Sequence, residues 1–131
     1  IMTTIDKSKI ESTYKAMLEV KQVYQKTATQ RLCEFLDAAA FLHLGISLMF
    51  RISYDIKANL KYELKRNRKF LDNNFPTWNS NRIVSKNSAK KYRAALGKTY
   101  YARKIYNMKL MIPALRIYRF VILRLNIDIK W

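Results

Sequence analysis

Arg31-Leu32-Cys33-Glu34-Phe35-Leu36-Asp37-Ala38-Ala39-Ala40-Phe41-Leu42-His43-Leu44-Gly45-Ile46-Ser47-Leu48-Met49-Phe50-Arg51 is the stretch on which the fold class turns. Its apolar residues Leu32, Phe35, Leu36, Ala39, Leu42, Ile46 and Met49 recur at the intervals that build one face of an α-helix. Between the two arginines lie nineteen residues without Lys or Arg, about one bilayer crossing in length. Glu34, Asp37 and His43 sit inside that segment, and an acidic group near the middle of the hydrocarbon costs about a few kcal/mol. The expectation is therefore a buried helix of a folded domain, with a membrane span over 32–50 as the alternative.

Outward from this segment the helical pattern continues. From Asp6 to Asn73 there is no proline and Gly45 is the one glycine. Ile10, Tyr14, Met17 and Leu18 predict a first helix over 7–30, with Thr4 and Asp6 as its cap, running on to a second over 31–54. A third, over 55–71, would align Lys57, Lys61, Lys65 and Arg68 on one face and Ile56, Leu60 and Leu64 on the neighbouring one. Asp72-Asn73-Asn74-Phe75-Pro76-Thr77-Trp78-Asn79-Ser80-Asn81 concentrates turn formers around a proline and marks the best boundary. Beyond it, Ser88 caps a helix to residue 96, Gly97 ends it, and helical character resumes over 99–111 before Pro113. The run 114–125 is assigned as helix from Leu115, Tyr118, Ile122 and Leu125, although its β-branched and aromatic content also suits a strand. The predicted fold is mainly α: long N-terminal helices packed as a small bundle or hairpin (1–73), a turn or linker (74–81), and a basic, aromatic-rich, mostly helical arm (82–131).

Charge supplies the functional signal. The 131 residues hold 26 Lys or Arg against 9 acidic residues, a net of +17. Residues 82–131 alone hold thirteen basic residues and one acidic one, Asp128, for +12 of that total. Self-repulsion of this size opposes compaction and is relieved by a polyanion, either nucleic acid or an anionic membrane surface. Arg grips phosphates bidentately and Lys supplies a mobile point charge. The expected RNA-binding residues are Lys57, Lys61, Lys65, Arg68, Arg82, Lys86, Lys90, Lys91, Arg93, Lys98, Tyr100, Arg103, Lys104, Lys109, Arg116 and Arg119. Tyr92, Tyr100, Tyr101, Tyr106 and Trp78 are candidates to stack on unpaired bases, with about half of them expected in the core instead.

Chemistry of other kinds finds little support in the chain. One cysteine, Cys33, allows no internal disulfide, and with one histidine it cannot complete a closed structural zinc site. Cys33 has no adjacent base, and two glycines make no phosphate-cradling loop. Glu34 and Asp37 share a helical face and are expected to meet a basic neighbour rather than to perform acid–base chemistry. No catalysis, cofactor, metal or small-molecule substrate is expected. The first six residues lack the pattern of a secretory signal, and Asp6 and Glu11 fit poorly with a transit peptide. Ile1 in place of Met reflects a non-standard initiator codon, a processed end or a cloning remnant, and the chain is rich in Ile, Lys, Asn and Tyr, whose codons are AT-rich. An AT-rich genome with relaxed initiation suggests an organelle, especially a mitochondrion, while AT-rich phages and bacteria explain the composition equally well.

His43-Leu44-Gly45 followed by Tyr54-Asp55 loosely resembles the haem and quinone region of small succinate dehydrogenase anchor subunits. Those anchors carry Asp-Tyr and several strongly apolar spans, which this chain lacks. In general character, a small, very basic helical chain with a basic aromatic arm resembles organellar ribosomal proteins. Phe75-Pro76-Thr77-Trp78-Asn79-Ser80, the basic stretch after it and the terminal Lys130-Trp131 resemble the C-terminal half of the fourteenth protein of the small ribosomal subunit. That family's Asn-Arg-Cys and Thr-Gly-Arg elements are absent, Lys86-Asn87-Ser88 being the nearest match, so no site is carried over. The resemblance implies binding to folded ribosomal RNA without catalysis. The resulting expectation is a structural component of a mitochondrial ribosome, partnered by rRNA and neighbouring proteins. The alternatives are an accessory subunit of an organellar inner-membrane respiratory complex and a phage or bacterial DNA-binding protein.

Overall fold

The structure is a computed structural model and describes residues 7–26, 29–55, 57–80, 85–86 and 98–125. It is mainly α. Helix α1 spans Lys7–Gln25, α2 Gln30–Ile52, α3 Leu60–Asn74, α4 Lys98–Asn107 and α5 Met111–Leu125, with a 3-10 turn at Pro76–Trp78. The predicted caps at Thr4 and Asp6, residue 56, and the predicted helix over 88–96 with Gly97 lie outside the described residues.

The break between α1 and α2 falls just before Gln30, where Thr29 leaves the helical conformation and its Oγ1 accepts the N–H of Leu32 at 3.3 Å. Within α2, residues Phe41–Leu48 widen into a π-helix, the stretch where Gly45 occurs. A β-carbon at Gly45 would lie 2.6 Å from Cδ2 of Phe41, so the missing side chain is what lets that ring lie against the next turn. Phe41 in turn stacks on Trp78 with centroids 5.1 Å apart and meets the edge of Tyr106 at 5.4 Å.

Helix α3 starts later than expected, at Leu60 rather than near Asp55. Two short polar side chains explain the delay. Oδ1 of Asp55 accepts the N–H of Lys57 at 2.9 Å, which closes a local turn, and Oδ1 of Asn59 caps the helix by accepting the N–H of Tyr62 at 3.1 Å. Helix α3 also runs on through Asn74, three residues past the predicted end, before Pro76 stops it.

One buried cluster joins residues from these five helices, including Ile10 and Tyr14 of α1, Phe41 and Leu44 of α2, Leu71 of α3, Tyr106 of α4 and Leu115 and Ile122 of α5. Phe75 and Trp78 belong to it, so the proline turn is packed inside rather than exposed. Its polar groups are satisfied: Asp72 Oδ1 accepts the Trp78 indole N–H at 2.8 Å. Asp37 accepts both the backbone N–H (3.0 Å) and the hydroxyl of Thr77. That corrects the expectation of a basic partner for Asp37; the first turn of a short helix offers free N–H groups that serve a buried carboxylate as well. The assignment of 114–125 as helix agrees with α5, whose Leu115, Tyr118 and Ile122 face the core.

The segment 30–52 is long and apolar enough to cross a membrane, with a mean hydropathy of 1.5, and 56% of that window is buried in the fold. Asp37 and Glu34 are among its buried residues.

Candidate nucleic-acid interface

Lys61, Lys65 and Arg68 sit at spacings of four and three on α3, and the fold brings a fourth cation to them from 41 positions beyond Arg68. Lys61, Leu64, Lys65 and Arg68 of α3 form one wall of a groove of about 440 Å³. Tyr106 and Asn107 at the end of α4, Lys109 in the connection and Ile112 at the start of α5 form the other. Charge therefore lines a groove whose walls also contain the aliphatic side chains of Leu64 and Ile112.

Arg68 is held by stacking rather than by a carboxylate. Its guanidinium lies 5.5 Å from the centroid of Trp78 and 5.8 Å from that of Tyr106. Among the described residues, Lys61, Lys65, Arg68 and Lys109 form no ion pair with a carboxylate. Arg66, on a neighbouring face of α3, is paired with Glu11 of α1 and lies over the Tyr14 ring at 4.8 Å. The Glu11 contact raises its pKa against the lowering effect of partial burial.

Lys57 is corrected in position: it is exposed in the turn before α3 and does not extend the helical stripe. Lys69, which sequence reasoning passed over, stands four residues after Lys65 and lines a second depression with Tyr62, Lys65, Arg66, Phe70 and Asn73. The i+4 interval from Lys65 was the available signal.

The C-terminal candidates divide into groups. Lys86, Lys98, Lys104 and Arg116 are exposed. Arg82, Lys90, Lys91 and Arg93, with Tyr92, lie outside the described residues. Arg103 is half-buried and donates to the Trp78 carbonyl at 3.4 Å; burial lowers its pKa. Arg119 donates through Nε to the Ser53 carbonyl at 2.6 Å and through an NH2 group to that of Asp55 at 3.0 Å, which ties down the chain after α2. Its guanidinium fork is thus occupied inside the fold.

The aromatic candidates divide similarly. Trp78 and Tyr106 are core residues, not stacking platforms, because their rings close the cluster around Phe41. Tyr101 is exposed, and half-buried Tyr100 packs edge-on against it at 5.2 Å with the Lys104 ammonium 5.4 Å from its ring. His43 is exposed and Cys33 half-buried; among the described residues no group of three metal-ligating side chains forms. A separate apolar groove of about 470 Å³ runs between α4 and α5 over Ile46 and Phe50, and Lys98 is the cation on its lining.

No protein-family model, curated protein or solved structure matches the chain.

Proposed function

We propose that this protein is a structural, non-catalytic RNA-binding protein, a component of a mitochondrial ribosome that neutralises and packs folded rRNA. The observation that carries the reading is the groove lined by Lys61, Lys65, Arg68 and Lys109, none of which forms an ion pair with a carboxylate among the described residues. A solvated protein surface normally mixes signs, and a same-sign cluster of this kind gains most when a phosphate chain replaces its counterions. The net charge of +17 and the exposed Lys98, Lys104 and Arg116 extend the same attraction beyond the groove. Neighbouring ribosomal proteins are the second class of partner in this reading, and the mitochondrial matrix its compartment, both supported by the sequence composition and class resemblance.

The test is affinity for a structured RNA hairpin measured at several salt concentrations. Four phosphate contacts give a slope of log affinity against log salt of about −3, a loss on the order of fifty-fold between 50 and 200 mM salt. A folded sample that binds no RNA, or binds it with no salt dependence, overturns the reading. The competing placement of 32–50 in an inner membrane is decided by carbonate extraction of the native protein, which would leave an embedded chain in the pellet and release a ribosomal one.

A further inference from the structure

Lys109 has a backbone φ of 59°, the one positive value among the described non-glycine residues. It follows α4 at the position where helices commonly end in the left-handed conformation, and where glycine is the usual occupant because a β-carbon there is crowded. The accompanying hydrogen bond is present: the N–H of Leu110 reaches back to the Ile105 carbonyl at 3.2 Å. Local structure therefore asks for glycine, and the chain supplies a lysine. The side chain does not compensate by burying itself, since Lys109 is exposed, nor by pairing with a described carboxylate. What the lysine does gain is position: it lines the groove opposite Lys61, Lys65 and Arg68. Backbone strain retained at one residue is repaid elsewhere, and here the cation itself is the gain.

We propose that the groove between α3 and the α4–α5 connection is a binding site for the phosphodiester backbone of RNA, and that Lys109 keeps its left-handed conformation to close that site. The inference deepens the RNA-binding reading and rests on it. Arg68, held over Trp78 and Tyr106, is the fixed contact on one wall. Lys61 and Lys65 are the mobile charges beside it, and Lys109 meets the same phosphates from the other side. Leu64 and Ile112, on facing walls, give the groove apolar surface on which a sugar face can rest.

The test compares the full chain with Lys109→Gly, Lys109→Arg and Lys65→Ala, using a twelve-nucleotide oligouridylate and a structured RNA hairpin as probes. Lys109→Gly is expected to raise the Tm by about 2–4 °C, because the β-carbon crowding is removed. The same change is expected to weaken RNA binding by roughly five- to tenfold and to reduce the salt slope by about one. Lys109→Arg should keep the slope, and Lys65→Ala, on an exposed helical surface, should lose affinity like Lys109→Gly with the Tm near wild type. A Lys109→Gly chain that binds as wild type does, with an unchanged slope, overturns the groove assignment while leaving RNA binding itself intact. A lower Tm for that variant overturns the claim that stability is given up at this residue. A wild-type chain that binds neither probe removes the underlying reading and the groove with it.

Discussion

Tyr106 of α4 donates its phenolic hydrogen to Oδ1 of Asn67 on α3 across 2.9 Å, in a place closed to water. The amide nitrogen of the same Asn67 donates to the Tyr14 hydroxyl at 3.0 Å and to the Leu44 carbonyl at 2.9 Å. One fully buried carboxamide thus joins α1, α2, α3 and α4. Arg68, the next residue, lies over Trp78 and Tyr106.

Replacing this carboxamide takes one hydrogen bond from each of three groups, the Tyr14 and Tyr106 hydroxyls and the Leu44 carbonyl. Asn67→Leu is expected to destabilise the fold by about 3 kcal/mol, as buried groups stripped of hydrogen bonds cost about 1–3 kcal/mol each and partly relax. Tyr106→Phe removes one donor and is expected to cost about 1 kcal/mol. Urea midpoints compare the two, and an Asn67→Leu protein as stable as wild type would show the network to be dispensable.

Gly45→Ala places a β-carbon against the Phe41 ring, which Trp78 and Tyr106 hold from other sides. The expected loss is about 1–3 kcal/mol, the usual range for overpacking a filled core. Phe41→Leu alone is also destabilising, but in combination with Gly45→Ala the penalties should add to less than their sum. Strict additivity in urea unfolding would mean that the ring and the glycine do not constrain one another.

Alkaline pH acts on the same cluster. Burial pushes the Tyr106 phenol far up, and burial likewise raises Tyr14 against the smaller opposing effects of its Asn67 hydrogen bond and of Arg66. In the unfolded chain both ionise near the ordinary value of about 10. Below that pH folded and unfolded chains keep the phenolic protons alike, so stability is fully present. As pH rises past 10 the unfolded chain releases protons that the folded one retains, and stability falls, chiefly through Tyr106, whose phenol contributes at most about 1.4 kcal/mol per pH unit. Urea midpoints between pH 8 and 11 should show this decline, and Tyr106→Phe should flatten it.

Arg116 and Arg119 are three residues apart on α5 and have the same charge, yet opposite consequences are expected of losing them. Arg119→Ala removes a charged donor from the carbonyls of Ser53 and Asp55, the latter keeping the N–H of Ala58 at 3.1 Å, and is expected to cost about 2 kcal/mol of stability. Arg116→Ala removes an exposed cation and is expected to leave stability within about 0.5 kcal/mol. Thermal melts and RNA titrations of both variants separate the roles, and equal stabilities would show that the carbonyl contacts of Arg119 contribute nothing.

The helices themselves were legible because the 3.6-residue rhythm of Ile10, Tyr14, Met17, Leu115, Tyr118 and Ile122 survives without knowledge of any neighbour. The buried face of α2 was not: Leu32, Phe35, Ala39 and Leu42 of the expected face are exposed, and Phe41, Leu44 and Leu48 lie in the core instead, because an apolar helix offers several such rows and only its neighbours choose one. The start of α3 was not, since Asp55 and Asn59 can act either as turn residues or as helix surface until the chain beyond them is packed. The basic stripe was legible at Lys61, Lys65 and Arg68 and misplaced at Lys57 for that reason. Trp78 and Tyr106 show the limit for aromatics: a ring suited to stacking on a base is equally suited to stacking on Phe41, and only the position of Phe41 chooses.

Local periodicity and overall charge, both properties of the chain as written, determined that this protein is helical and strongly cationic. The tertiary structure decided which cations are spent and which are available: Arg119 on carbonyls, Arg66 on Glu11, and Lys109 beside Lys61, Lys65 and Arg68. The physical reason is range. A helix is set by contacts three and four residues away, whereas the field in a groove is the sum over charges that only chain folding brings within a few ångströms.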